Sequence, residues 1–324
     1  MTNYIGALTL TLSFLSVSTS ALGAPSGLET VDHRDKLYDI FGQGETLWMV
    51  GYPGRLLKSS DRGKTWAIQS IKSKEALMAI DFGDEKNGLI VGRGGTVLKT
   101  ADGGKTWSPA KTEITEPLFD VDMVNAKDAF AVGHFNTIIH SSDGGATWES
   151  QTYELPEDAE DEPGLHAVSF VDATHGWIVG EFGTILHTEN GGSTWLKQES
   201  GVTISLYDVH FKDATNGRAV GSQGTVLKTV DGGVTWTQSP KIVPEHLFAL
   251  HEGPDGHLWA VGQEGVFIEQ APGQETITPR PLKIFTWLDS VYFLNPKDGI
   301  AIGGRGHIMI TADGGLTWKR LSGQ

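Results

Sequence analysis

Ser59-Ser-Asp-Arg-Gly-Lys-Thr-Trp66 decides the fold, because close copies of it recur at Thr100–Trp107, Ser141–Trp148, Thr188–Trp195, Thr229–Trp236 and Thr311–Trp318. The closing tryptophans stand 41, 41, 47, 41 and 82 residues apart, so the last gap holds two periods. One period past Trp236 lies Ile277, inside the degenerate segment Ile268–Thr278, where Gln270-Ala-Pro-Gly273 replaces the octapeptide. The count is seven units. A second marker agrees with it. Each unit carries Val-Gly or Ile-Gly 15 residues before its Trp position, with glycines at 51, 92, 133, 180, 221, 262 and 303. Fifteen residues earlier again a leucine opens an apolar run, and only Leu37 falls one residue out of register.

Each unit reads as four short strands separated by Gly, Asn and Asp turns. In the fifth, Leu206–Phe211 alternates as strand A, Gly217–Val220 is B, Thr225–Lys228 is C and Thr235–Gln238 is D. A period of about 40–45 residues with four strands is the sign of a β-propeller, whose blades cannot bury both sheet faces alone. The expectation is an all-β chain: one seven-bladed propeller of four-stranded antiparallel blades over residues 37–324, degenerate sixth unit included.

Residues 1–24 carry no charge, and the apolar run Tyr4–Val17 followed by the small residues Ser18–Ala24 has the layout of a secretory signal peptide. A short segment, 25–36, then leads into the ring. The run is too short and too interrupted by Ser and Thr for the roughly 20 apolar residues of a membrane span. The expected location is therefore outside the cytoplasm: periplasm, thylakoid lumen or medium. The chain has no cysteine, which excludes disulfides, thiol catalysis and a lipid-bearing cysteine. A net charge of -15 is the wrong sign for tracking phosphates, so nucleic acid is not an expected partner.

The octapeptide spans the hairpin between strands C and D. Its Asp can accept hydrogen bonds from loop N–H groups, its Gly supplies a positive φ, and its Trp buries its ring between blades. Asp61, Asp102, Asp143, Asp231 and Asp313 fill the carboxylate place, and Asn190 substitutes in the fourth unit. They are expected to be architectural. The histidines mark repeat positions rather than metal ligands: His140 and His187 share one strand-C place, His210 and His251 one strand-A place. No cofactor or metal is expected.

The octapeptide resembles the Asp-box, or bacterial neuraminidase (BNR) repeat, which several propeller families share. The longer unit Gly176-Trp-Ile-Val-Gly-Glu-Phe-Gly-Thr-Ile-Leu-His-Thr-Glu-Asn-Gly-Gly-Ser-Thr-Trp195 resembles the repeat of the photosystem II stability and assembly factor family, over about residues 37–324. That resemblance implies a lumenal or periplasmic seven-bladed propeller without catalysis. It also implies a face bearing arginines that binds a membrane protein, or its assembly intermediate, on the exported side. Family-like proteins also occur in bacteria that do not photosynthesise. This chain departs from the photosynthetic pattern in having neither a lipid-anchor cysteine nor an Arg/Ser-rich leader.

Blade topology locates the expected binding face. The A–B and C–D loops leave one side of the ring, the B–C and D–A loops the other, and the octapeptides are C–D loops. The variable B–C turns hold Tyr52-Pro53, Arg93-Gly94, His134-Phe135, Glu181-Phe182, Ser222-Gln223, Gln263-Glu264 and Gly304-Arg305. Loops on a rigid scaffold are where binding resides, and aromatic and Arg side chains supply much of an interface's energy. The candidate partner-binding set is Tyr52, Arg93, His134, Phe135, Glu181, Phe182, Arg218, Gln223, Glu264 and Arg305.

Arg218 has two readings, because its strand-B place is otherwise apolar (Trp48, Leu89, Phe130, Trp177, Trp259, Ile300). It either pairs with an acid such as Asp208 or an Asp of the next blade, or joins Arg93 and Arg305 on the binding face. The one insertion, in Glu149–Glu162, holds seven carboxylates and reads as a solvated loop. An acidic arm reaching a partner is its alternative. Two other functions remain: an Asp-box glycosidase or glycan-binding propeller of sialidase type, and an accessory subunit of a membrane transporter or secretion system. The regular seven units, the lack of a Phe-Arg-Ile-Pro-like motif and the two-blade separation of Glu181 and Glu264 argue against the glycosidase. A non-enzymatic monomer is expected.

Overall fold

The computed structural model describes residues 28, 31–153, 155 and 162–321, so the leader and the centre of the acidic insertion lie outside the described residues. Seven four-stranded antiparallel sheets follow one another, each built from four consecutive strands in the order A-B-C-D. The sixth unit is a full blade, with strands Leu247–Glu252, Leu258–Gly262, Phe267–Gln270 and Thr278–Pro279. Strand D is shorter than its sequence pattern. In the fifth blade it is only Thr237–Gln238, because Thr235 is drawn into the hairpin, where its N–H and hydroxyl donate to Asp231 at 2.9 and 2.7 Å.

Strand A of every blade lines the central channel, while both residues of the shortest D strands are exposed. The core lies between blades rather than within them. Seven apolar clusters occupy the seven junctions, the last joining blade 7 (Ile300, Ile302, Ile308) to blade 1 (Leu37, Leu47, Met49, Trp66). One contact repeats: the residue three before the strand-B glycine packs on the sixth residue of the next blade's strand A. Trp48 meets Phe82 at 4.3 Å, Phe130 meets Phe170 at 4.1 Å, Trp177 meets Phe211 at 3.5 Å and Trp259 meets Phe293 at 3.9 Å between ring centroids. Such stacks add about 0.5–1.5 kcal/mol each beyond area burial.

The hairpin aspartates behave as their spacing predicts. Asp143 Oδ1 accepts from the N–H groups of Ala146 and Thr147, and Oδ2 from the Thr147 hydroxyl, which holds its carboxyl down at about 2. Asn190 keeps the pattern: Oδ1 accepts from Thr194 N–H, and Nδ2 donates to the Thr194 hydroxyl. The tryptophans depart from expectation. Trp66 and Trp195 are buried, whereas Trp107, Trp148, Trp236 and Trp318 are half-buried, several set edge-on against the phenylalanine of their own strand A.

The repeated strand-B glycine has a steric cause. Strand A bulges at the residue after its repeat leucine in all seven blades, which drives the carbonyl before that leucine against the glycine. A Cβ at Gly51, Gly92, Gly133, Gly180, Gly221, Gly262 or Gly303 would collide with that carbonyl oxygen. A bulge re-aims a side chain, and here seven of them do so at one end of the channel.

Candidate functional site

The loop parity holds. Gly103, Gly144, Gly191, Gly232 and Gly314 in the C–D hairpins donate to A–B loop carbonyls, so those two loop sets share one side. Gly54, Gly95 and Asn136 in B–C turns donate to Glu75, Glu116 and Pro163 in D–A connections. The other side is therefore the B–C face.

Most B–C turns are single 3₁₀ turns whose middle residue is left-handed. Gly94 takes that place in blade 2, but in blades 3 to 7 it is Phe135, Phe182, Gln223, Glu264 and Arg305, with φ between 51° and 57°. Outside glycine this conformation is costly, of the order of 1–3 kcal/mol per residue, and it clusters at functional sites. It also lifts the side chains away from the ring: Phe135 and Phe182 are 58% and 57% exposed. Two further apolar side chains, Phe285 and Trp287, stand out from the D–A connection between blades 6 and 7. Tyr52, in the first turn, is also exposed.

Inside this rim lies a belt that the sequence reading missed, formed by the bulged residues Tyr38, Met78, Phe119, His166, Tyr207, Phe248 and Asp289. They surround the mouth of a central cavity of about 320 Å³. Rings touch in sequence around it: His134 on Phe119, Phe119 on His166, His166 on Tyr207 and Tyr207 on Phe248, with centroids 5.3 to 6.2 Å apart. The signal was the residue after each repeat leucine, which varies widely in size and polarity, paired with the repeated strand-B glycine that the bulge requires.

The cavity floor is acidic. Asp39, Asp120 and Asp208 occupy one strand-A place in alternate blades, each accepting from the N–H of Ile80, Val168 or Leu250 in the next blade. Burial pushes Asp208 up to about 7, Asp289 up to about 8 and Asp120 well above the usual carboxylate range. Burial also lowers His166, opposed by the charge of Glu181 and reinforced by that of His134. Among the described residues no group of three or more His, Asp or Glu side chains could hold a metal ion.

The predicted site residues divide. Tyr52, Arg93, His134, Phe135, Glu181, Phe182, Gln223, Glu264 and Arg305 all lie on the B–C face, with Arg93 and Arg305 on either side of blade 1 and Phe135 and Phe182 on adjacent blades. Glu181 turns inward, accepting from Gly164 N–H at 2.8 Å. Arg218 does not join them, because strand B runs from the A–B loop to the B–C turn and Arg218 stands at its start. Its Nε lies 3.2 Å from Glu252 Oε2 of the next blade, both side chains nearly buried at 13% and 12% exposure. Glu252 occupies the place held elsewhere by Phe82, Phe170, Phe211 and Phe293, so one ion pair replaces one aromatic stack. The acid is neither Asp208 nor an Asp. Glu252 was legible as the charged exception in its own column.

Residues 66–118 and 107–203 match the model of the photosynthesis system II assembly factor YCF48 family. Over that stretch, less than half of the chain, the sequence is similar to the photosystem II assembly factor family. The fold is shared with a structure of YCF48 bound to D1 peptide, at TM-score 0.64 and 20% identity over 78% of this chain and 84% of that one. YCF48 from Cyanidioschyzon merolae is similar at TM-score 0.63 and 24% identity, over 78% and 86%. The WD40 β-propeller domain of Doa1 aligns at TM-score 0.69 with 11% identity, over 86% and 93%. No curated protein matches the sequence. The assembly-factor likeness thus rests on the repeat, and the propeller geometry by itself is widely shared.

Proposed function

We propose that this protein is an exported, non-catalytic assembly or stability factor that binds an extramembrane segment of a membrane protein on its B–C face. The observation that carries the reading is the run of five non-glycine residues held left-handed at one turn position. Glycine would relieve that strain, and the strained positions place two exposed phenylalanines and an arginine around an aromatic channel mouth. The match to the assembly-factor repeat and the D1 peptide in a similar structure favour a polypeptide segment as the ligand. Arg93 and Arg305 supply its charge contacts, and Phe135 and Phe182 its apolar anchors. The Glu181 and Glu264 carboxyls stand two blades apart on this face, and the reading gives them no catalytic part.

The test is co-isolation of a tagged protein with its partner from detergent-solubilised membranes. Phe135→Gly with Phe182→Gly should abolish recovery while leaving the thermal midpoint unchanged or raised, since both changes relieve left-handed strain. Arg93→Ala with Arg305→Ala should weaken recovery, and more so at low salt than at high. Undiminished recovery in both variants would place the partner elsewhere. Export is checked separately: N-terminal sequencing of protein from the periplasm or medium should begin between about residues 22 and 26.

A further inference from the structure

A row of side chains runs outward across each blade, and in blade 7 it reads Tyr292, Ile300, Ile310, Lys319 by strand register. The third place in this row is Lys58, Lys99, His140, His187, Lys228 or Glu269 in the other blades. There a polar group can reach the neighbouring hairpin, as when Lys58 Nζ donates to Gly103 O at 2.7 Å. Ile310 cannot do this. Gly42 also stands where most other blades place a large strand-A side chain, with the Tyr292 ring against it and its hydroxyl donating to Gly42 O.

The result is a cleft of about 610 Å³ on the hairpin side of the ring, where blade 7 meets blade 1. Its floor is apolar: Ile300 is buried, with Leu294, Ile310 and Leu321 packed partly buried against the same cluster. Four basic side chains, Arg62, Lys64, Lys319 and Arg320, line it, with one carboxylate, Asp298. That carboxylate is engaged by Asn295 Nδ2 at 2.8 Å, and Arg62 makes one exposed contact with Glu45 at 3.5 Å. The local positive charge stands out on a chain of net charge -15.

Arg62 adds an independent observation. Its φ is 61°, and the equivalent residues of the other intact hairpins are glycines at 65° to 73°. The arginine therefore sits in a strained conformation at the junction that carries this cleft. Strain of this kind persists where function holds it.

We propose that this seam cleft is a second binding site, distinct from the B–C face, that takes an extended polypeptide segment alternating apolar and acidic side chains. Apolar groups fill the floor over Ile300 and Ile310, and carboxylates meet Arg62, Lys64 and Lys319 at the rim. Charge complementarity selects the occupant.

The probe is the fluorescein-labelled heptapeptide Glu-Leu-Asp-Phe-Glu-Leu-Asp, with a counterpart carrying Lys in place of every acid, read by fluorescence anisotropy on the full chain. Saturable binding of the acidic peptide is expected, weakened about tenfold or more by Arg62→Gly and, separately, by Ile310→Glu. The first change relieves strain, and the second introduces the residue type of blade 6 opposite Lys319, so both variants should keep the wild-type thermal midpoint. The Phe135 and Phe182 variants of the B–C face should bind the peptide as the wild type does, which separates this test from that of the proposed function. Unchanged affinity in both seam variants, or equal binding of the lysine peptide, would overturn the proposal. Binding of oleate with the same variant dependence, and none of the peptide, would overturn it in favour of a carboxylate lipid.

Discussion

Replacing Arg218 by Trp would leave the Glu252 carboxylate nearly buried at the junction of blades 5 and 6 without its cation. The two side chains are only 13% and 12% exposed and meet at 3.2 Å, so solvent offers the survivor little compensation. Breaking such a pair costs about 3–5 kcal/mol. His210, across the strand pair from Arg218, is a weak substitute, because burial lowers it, opposed by the charge of Glu252. Glu252→Phe alone strands the guanidinium and should cost a similar amount. The double variant rebuilds the stack seen at Trp177–Phe211 and Trp259–Phe293, whose ring planes lie within 6° and 7° of parallel. Replacement of a buried ion pair by packed apolar groups is neutral or stabilising by about 1–4 kcal/mol. The double variant should therefore match or exceed the wild type, giving a coupling of several kcal/mol in the cycle. Urea unfolding of all four proteins measures it, with thermal midpoints of the single variants falling by roughly 6–10 °C at about 2 °C per kcal/mol for a chain of this size. Two single variants within about 0.5 kcal/mol of wild type would show that the pair is solvated, and a double variant no better than the worse single would show that the stack does not fit there.

Two strand-A carboxyls on neighbouring blades, Asp81 and Asp122, give a pH prediction of definite sign. Burial raises Asp81 to about 7 and Asp122 to about 8, the charge of Asp81 adding to the latter. A carboxyl raised in the folded state contributes stability that is full below its unfolded value near 4 and is lost as pH climbs through 7 to 8. Asp122→Asn, which keeps an acceptor for the Phe170 N–H, should thus raise the urea midpoint at pH 8.5, raise it much less at pH 5 and leave it nearly unchanged at pH 4. A gain at pH 5 equal to that at pH 8.5 would show that Asp122 is ionised throughout. In the hairpins, Asp143→Ala should cost about 1–2 kcal/mol by leaving the Ala146 and Thr147 N–H groups without their acceptor, whereas Asp143→Asn should cost less than half of that, as Asn190 indicates. Equal losses in thermal denaturation would mean that charge, not acceptor geometry, organises the hairpin.

The sequence by itself determined the blade count, the strand order, the hairpin role of the aspartates and the side on which each loop emerges. Those follow from local chemistry repeated at a fixed period: alternating apolar strands, Asp with Gly in a turn, and an even number of strands per blade. The same logic marked Arg218 as an exception in its column. What it could not give was the partner of that exception, because Glu252 meets Arg218 only when the strand-B column of one blade is laid against the strand-A column of the next. The bulge belt at the channel mouth and the seam cleft share that origin. Tyr38, Phe119, Tyr207 and Asp289 are far apart in the chain and converge only when seven bulges point at one axis. Arg62 faces Ile310 only because a closed ring must bring its last blade against its first, and there the row has an apolar side chain where the other blades carry a polar one.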